Sequence, residues 1–273
     1  MTLGDRDFQF LQQLVRRHTG VVIAESKEYM AEFRLEPLAV QVGAGSVARL
    51  LLRLQSHPSY DLERQVVEAM TTNETSFFRD VLPFDALERT VLPALFEARR
   101  VERGLTLWSC ACSSGQEPYS VAIILHRNYA ALFDSWEVRL LGSDVNTEML
   151  EQARRGRYSA HEMSRGVPAD VKARYFEPVG GHWQIRDTVR QMVEFRWLNL
   201  ADPLPLLPMC DVILLRNVLI YFDLETKTTV LERVLRYLKP DGYLFLGGAE
   251  ATVSWDMLQP EQANGATFYR VKR

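Results

Sequence analysis

The chain has 273 residues, of which 47% are hydrophobic, 10% aromatic and 25% charged. This mix belongs to a folded globular protein and excludes disordered, collagenous and coiled-coil chains. The length allows one large domain or two smaller ones. With 32 basic against 35 acidic side chains the formal charge is -3, so nothing in the composition attracts nucleic acid or anionic lipid.

The first residues are charged (Asp5, Arg6, Asp7) and lead into no long apolar stretch, so no signal peptide is expected. No apolar run approaches the roughly 18 residues of a membrane span. Cys110, Cys112 and Cys210 are too few and odd in number for a disulfide framework, which points to a reducing cytoplasm. They lack the second ligand pair of a zinc site, so they read as structural thiols and no metal is expected.

The first 72 residues read as short amphipathic helices with no strand between them. Phe8, Leu11, Leu14 and Val15 share a face that stops at Thr19-Gly20. Residues 26–42 are helix-like but contain Pro37, which kinks or divides them. Ser46 caps a helix with Val47, Leu50, Leu51 and Leu54 on one stripe, and a fourth helix runs from about Asp61 to Met70.

Residues 73–104 read as a linker with one helix. From 105 onward strands alternate with helices, the pattern of a mostly parallel sheet covered on both faces. Strands are expected at Leu105–Cys110, Trp136–Ser143, Val193–Leu198, Asp211–Leu215, Tyr243–Gly247 and Thr267–Val271, with a helix from Leu224 to Leu238 and a turn at Lys239-Pro240-Asp241-Gly242. The stretch from about 156 to 191 breaks the alternation. Tyr175 to Val179, Gly180-Gly181 and His182 to Ile185 form a hairpin pattern there, so an inserted β subdomain is expected.

Open parallel sheets bind ligands at the carboxyl ends of their strands, which here carry Ser113 to Glu117, Asp144, Asn199-Leu200 and Arg216-Asn217. An acid ending the second strand accepts hydrogen bonds from ribose hydroxyls, and the first loop, through Gly115, brings backbone close to the ligand. That loop lacks the G-x-G-x-x-G that seats a pyrophosphate, so the expected ligand is a nucleoside without phosphates, S-adenosylmethionine foremost. Each residue alone has a plainer role: Asp144 as a helix cap, Phe77-Phe78 and Tyr221-Phe222 as core aromatics, Arg216 as a solvated charge, Glu117 as a helix-start acid. Their convergence on one sheet edge favours the functional reading.

Five segments resemble, in order and over nearly the whole chain, the CheR family of chemoreceptor glutamate methyltransferases. They are Thr72-Asn73-Glu74-Thr75-Ser76-Phe77-Phe78-Arg79, Ser113-Ser114-Gly115-Gln116-Glu117-Pro118-Tyr119-Ser120, Ser143-Asp144, Arg216-Asn217-Val218-Leu219-Ile220-Tyr221-Phe222 and Leu238-Lys239-Pro240-Asp241-Gly242. The resemblance implies an α/β chain with the class I S-adenosylmethionine-dependent methyltransferase fold: a mostly parallel seven-stranded sheet with an antiparallel last strand, a small all-helical N-terminal domain and a small inserted β subdomain. It implies domains at 1–72, 73–104 and 105–273, and cofactor contacts from Asn73, Thr75, Arg79, Glu117, Asp144, Asn199, Leu200, Arg216 and Asn217, with Arg79 and Tyr221 at the reacting groups. The implied activity is methyl transfer from S-adenosylmethionine, leaving S-adenosylhomocysteine, to glutamates on the cytoplasmic helices of chemoreceptors, by a monomer that neither binds nucleic acid nor enters the membrane. Two other readings stay open, a cofactor-sensing module without turnover and a methyltransferase for a small molecule or RNA.

The absence of a catalytic histidine suits this chemistry, since a glutamate with a pKa near 4.3 is already ionised and needs no general base. A dry site favours the loss of charge on carboxylate and sulfonium, and Phe77, Phe78 and Phe222 are the candidates to supply it. The chain departs from the family at Gln116 and Asn146, where acids are common, and on the second helix, which keeps Arg34 but little other basic character.

Overall fold

The computed structural model describes residues 3–250 and 255–272. Among them no helix is long and apolar enough to cross a membrane. Packing divides the chain into two units: Met1–Thr72 with Asn199–Pro203 and Tyr221–Leu231, and Asn73–Leu198 with Leu204–Ile220 and Glu232–Arg273.

The helical unit is built on α1 (Asp5–Thr19), α2 (Glu28–Gln41), α3 (Val47–Ser56) and α4 (Tyr60–Met70). Leu11, Leu35, Leu50, Leu51 and Val66 meet in its core. α1 carries Asp5 and Asp7 in its first turn and Arg16, Arg17 and His18 in its last, matching the helix dipole, and ends at Gly20 in the left-handed conformation. α2 continues through Pro37 as one helix. Ser46 caps α3 by accepting the Arg49 N–H at 3.3 Å.

Arg34 does not serve as a free basic contact. Its Nη1 donates to the carbonyls of Met70 (2.7 Å) and Thr71 (3.0 Å), satisfying the end of α4. The two later pieces are sewn onto α1 and its exit: Val21 bridges Phe222, Arg16 pairs with Asp223 at 2.6 Å, and Asn199 donates to the His18 carbonyl at 2.7 Å.

The second unit begins with α5 (Leu82–Ala86), a π-helical turn over Leu87–Val91 and α6 (Leu92–Ala98). There follow β1 (Gly104–Cys110), α7 (Gln116–Tyr129), β2 (Glu137–Asp144), α8 (Thr147–Arg155), β3 (Arg157–Tyr158), α9 (Ala160–Ser164), α10 (Ala169–Tyr175), β4 (Phe176–Val179), β5 (His182–Ile185), α11 (Asp187–Arg190), β6 (Val193–Trp197) and β7 (Cys210–Leu215). α12 (Leu224–Leu235) lies up to Leu231 in the first unit, and β8 (Leu238–Leu246), β9 (Leu258–Ala263) and β10 (Ala266–Val271) complete the second.

The main sheet has seven strands in the order β6-β2-β1-β7-β8-β10-β9, parallel except for β10, which runs against both its neighbours. β7 is buried along its whole length, as its apolar run requires at the centre of such a sheet. The inserted subdomain is a three-stranded sheet, β3-β5-β4, with Gly180 and Gly181 both at positive φ in the hairpin turn.

Two expectations about local structure are corrected. α12 ends at Leu235, and the Lys239–Gly242 stretch lies inside β8: the pairing shifts register between Cys210↔Leu238 and Val212↔Tyr243, so the extra residues form an irregularity in the strand. β9 matches none of the six strands read from the residues, because Leu258-Gln259-Pro260-Glu261-Gln262-Ala263 is a polar edge strand in which only Leu258 is buried; it brings the sheet to the seven strands that the resemblance implies.

A buried charge network closes the amino-terminal edge of the sheet. Asp211, wholly buried, accepts Arg99 Nε at 2.7 Å, Lys239 Nζ at 2.9 Å and the Thr106 N–H at 2.9 Å, while Arg99 also makes a two-pronged pair with Asp241. Replacing Asp211 by alanine leaves Lys239 and the Arg99 Nε without their buried acceptor, and urea denaturation is expected to register a loss of about 3–5 kcal/mol. The hydrogen bond from Arg99 holds the Asp241 carboxyl below its ordinary range. Its contribution is therefore present above the unfolded carboxyl's pKa and lost as pH falls through the lower folded value. The urea midpoint of the Asp241→Asn variant is expected to fall less steeply than wild type as pH drops below about 4.

Candidate functional site

Within the sheet unit the site is assembled along two chains of contact. The first begins at Asp144, the last residue of β2, which is 7% exposed. Its Oδ2 accepts the Ser113 N–H at 2.7 Å and its Oδ1 the Asn146 N–H at 2.8 Å. Ser113, at φ 50, then donates its hydroxyl to the Asn73 carbonyl at 2.9 Å. The acid at the end of β2, the loop after β1 and the start of the 73–79 motif are thereby held as one piece. Asn146, not Asp144, caps α8, accepting the Met149 N–H at 3.1 Å, so the acid is not engaged as the helix cap.

The second chain runs through a buried ion pair. Glu117, in the first turn of α7, accepts the Ser109 hydroxyl at 2.8 Å and Arg216 Nη1 at 2.8 Å. Arg216, just past β7, sends Nη2 to the Arg79 carbonyl (2.9 Å) and to Asp80 (2.8 Å). Arg79 itself is half-buried and donates Nη1 to the Glu74 carbonyl at 2.8 Å; Thr75 is half-buried beside it in sequence. Asn217 follows Arg216 at φ 59, its N–H on Glu250 at 2.8 Å.

The structure thus brings together Asn73, Arg79, Glu117, Asp144, Arg216 and Asn217 in one unit. Asn199, Leu200 and Tyr221 belong to the helical unit. Asn199 has both amide hydrogens engaged, on His18 O and on Asp202 Oδ2 at 2.9 Å, and Leu200 is buried. Tyr221 lies near Arg34, where its phenol partly offsets the loss of basicity that burial imposes on the guanidinium.

Several side chains differ from expectation. Phe77 is fully buried and stands edge-on to Tyr158 (4.9 Å) and Phe176 (5.3 Å), so it is a core residue joining the motif to the inserted subdomain. Phe78 and Phe84 pack edge to face at 5.7 Å, with the Arg216 guanidinium 5.4 Å from the Phe84 ring. Gly115 is at φ 90, and an added Cβ would come within 2.9 Å of the Ala153 Cβ, so its glycine is required by packing against α8. Gln116 lies 3.5 Å from Glu162, an acid against which a second carboxylate would be repelled. Burial holds the thiols of Cys110 and Cys112 well above their ordinary range and pushes Cys210 up to about 12, which keeps all three protonated and structural.

Ser109, Asp80 and Glu250 went unread in the sequence. Glu250 had a usable signal, since it follows the carboxyl end of β8 and the strand-end rule applies there as it does to β1 and β2.

The residues fit a nucleoside ligand bearing a carboxylate. Arg216 is 4% exposed, and its Nε is buried with no hydrogen-bond partner among the described residues. That leftover donor, with an acid at the end of β2, matches what a ligand combining a carboxylate and a ribose diol demands.

Comparison with known proteins agrees. Residues 73–266 match the family described as CheR methyltransferase, SAM binding domain, and residues 6–71 match CheR methyltransferase, all-alpha domain. A chemotaxis protein methyltransferase Cher2 of Pseudomonas putida is 37% identical over 276 residues, covering 100% of both chains. Chemotaxis protein methyltransferase 1 of Pseudomonas aeruginosa is 38% identical, again over 100% of both. A chemotaxis protein methyltransferase of Vibrio parahaemolyticus is 35% identical over 100% of this chain and 99% of its own.

One contact ties the inserted subdomain to the motif. Gly166 is at φ 100, and a Cβ there would lie 2.0 Å from the Phe77 carbonyl oxygen. Gly166→Ala is expected to lower stability by at least about 1–3 kcal/mol, read in a thermal melt, because both the backbone conformation and the close approach are lost.

Proposed function

The chain belongs to the CheR methyltransferase family, and on that premise we propose that it methylates glutamate side chains on the cytoplasmic helices of chemoreceptors, forming methyl esters. The reading is carried by one observation: a buried Glu117–Arg216 pair in which one guanidinium nitrogen, Nε, has no partner among the described residues, on the same sheet edge as Asp144.

Bound S-adenosylmethionine supplies a methyl group on a positively charged sulfur, an electrophile that an ionised carboxylate attacks without a general base. Asp144 holds the ribose hydroxyls, its carboxylate fixed by the N–H groups of Ser113 and Asn146. Arg216 offers Nε to the carboxylate end of the ligand, and its other nitrogens are locked by Glu117, Asp80 and the Arg79 carbonyl. Phe78 and Phe84 keep the Arg216 side of the site apolar. Arg79, anchored at Nη1 by the Glu74 carbonyl, would use its other N–H groups to hold the acceptor carboxylate. The family resemblance adds Asn199 and Leu200 at the adenine and Tyr221 as a hydrogen-bond donor to the reacting group. The acceptor is then a cytoplasmic protein segment that presents a glutamate to be held in line, and orientation rather than proton transfer is the protein's contribution.

The test is transfer of label from S-adenosylmethionine to chemoreceptor-containing membranes, followed by mild base. Label released by base from a receptor band is the expected result; label that resists base, or none on any receptor, overturns the glutamate reading. Calorimetry on Asp144→Ala is expected to show about 10- to 100-fold weaker S-adenosylhomocysteine binding, the loss of a hydrogen bond to a charged group. Tyr221→Phe is expected to lower kcat with that affinity kept.

A further inference from the structure

The turn after β8 contains Gly247, Gly248, Ala249 and Glu250, and nothing in the five family-like segments assigns it a role. Glu250 is 3% exposed. Its carboxylate folds back against the loop that leaves β7. Oε2 accepts the N–H groups of Asn217 at 2.8 Å and Gly247 at 2.7 Å, and Oε1 accepts those of Val218 at 2.8 Å and Leu219 at 2.6 Å.

Three consecutive backbone N–H groups aimed at one point form an anion-binding concavity, and here the chain fills it with its own carboxylate. The arrangement is tight. A Cβ on Gly247 would stand 2.6 Å from Glu250 Oε2, 2.8 Å from the Asn217 nitrogen and 2.9 Å from its side-chain amide, so only glycine leaves room for the clamp. Asn217 meanwhile sits in the left-handed region, a conformation that persists only when the surroundings fix it.

We propose that Glu250 is a positioning residue for methyl transfer. By holding the backbone of Asn217–Leu219, it fixes where Arg216 and Asn217 present themselves to S-adenosylmethionine. The loop has no other side chain bonded to these three amides among the hydrogen bonds described, whereas Arg216 reaches outward from it to Glu117, Asp80 and the Arg79 carbonyl. Displacing the loop therefore moves the guanidinium that carries the leftover Nε donor. The inference rests on the reading that Arg216 and Asn217 hold the cofactor.

Glutamine is the informative replacement. It keeps the size of the side chain but turns an NH2 group toward two N–H donors, so half of the clamp becomes repulsive. A mere stabilising cap and a positioning residue then differ in what they predict for ligand affinity. The experiment is calorimetric titration of the full chain with S-adenosylhomocysteine for wild type, Glu250→Gln, Gly247→Ala and Asn217→Ala, with urea denaturation of each. Glu250→Gln is expected to bind at least about tenfold more weakly while still unfolding cooperatively. Gly247→Ala, which keeps the carboxylate but crowds it, is expected to show a similar loss and serves as the deciding variant if Glu250→Gln does not fold. In turnover assays KM for S-adenosylmethionine is expected to rise more than kcat falls.

Affinity within twofold of wild type in the folded clamp variants, with Asn217→Ala weakened, overturns the proposal and leaves the cofactor reading standing. Unchanged affinity in all three variants overturns both.

Discussion

The carboxyl-terminal edge of the sheet depends on the ion pair between Glu117 and Arg216. The Arg216 side chain is 1% exposed and that of Glu117 10%, so neither charge has water to fall back on. A buried charge that loses its partner costs several kcal/mol, and a buried pair is tolerated only when its other hydrogen-bonding positions are filled. Ser109 on β1 fills one for the glutamate, while Asp80 and the Arg79 carbonyl fill two for the arginine. The sheet, the start of α7, the loop after β7 and the segment after the 73–79 motif are consequently interdependent. The same requirement explains why the chain supports positive φ at Phe78, Asp80 and Val81, three residues that rarely adopt it: the strained turn is what delivers the Asp80 carboxylate and the Arg79 carbonyl to one guanidinium.

The two ends of the sheet use buried charge differently. At the amino-terminal edge Arg99 has Nε, Nη1 and Nη2 all bonded, to Asp211 and Asp241, and Lys239 adds a second cation on Asp211. That cluster is closed, and its effect is on stability. At the carboxyl edge Arg216 keeps one nitrogen without a partner among the described residues. An unfilled buried donor is a cost to the protein alone and becomes an asset when a ligand brings an acceptor.

Much of this was legible because the features are local. Apolar runs bounded by polar ends gave β1, β2, β6 and β7, the Gly180-Gly181 pair gave the hairpin, and Ser46 gave the start of α3. The motif residues stood out as types placed at strand ends. What stayed hidden depends on contacts between distant positions. β9 exists because it pairs with β10, not because its residues favour a strand. Arg34 looked like surface charge on α2, yet the carbonyls of Met70 and Thr71 lie 36 and 37 residues away in sequence and claim it. Asn199 resembled a ligand contact by position, while its amide hydrogens are committed to His18 and Asp202. Phe77 read as a candidate wall of the site and proved to be the hinge pin between motif and insertion, buried against Tyr158 and Phe176.

The insertion earns its place through that same aromatic contact. Tyr158 donates its hydroxyl to the Ser114 carbonyl at 2.8 Å, and burial keeps the phenol protonated far above its ordinary range, so the bond persists across the physiological pH scale. Ser114 neighbours Ser113, whose N–H and hydroxyl join Asp144 to Asn73. Gln116, two residues on, reaches Glu162 of α9, and Glu162 closes the capping box with Ser159. The excursion between α8 and β6, residues 156–192, is therefore packed against the back of the loop that holds the acid of β2. A subdomain wired in this way is part of the scaffold of the site.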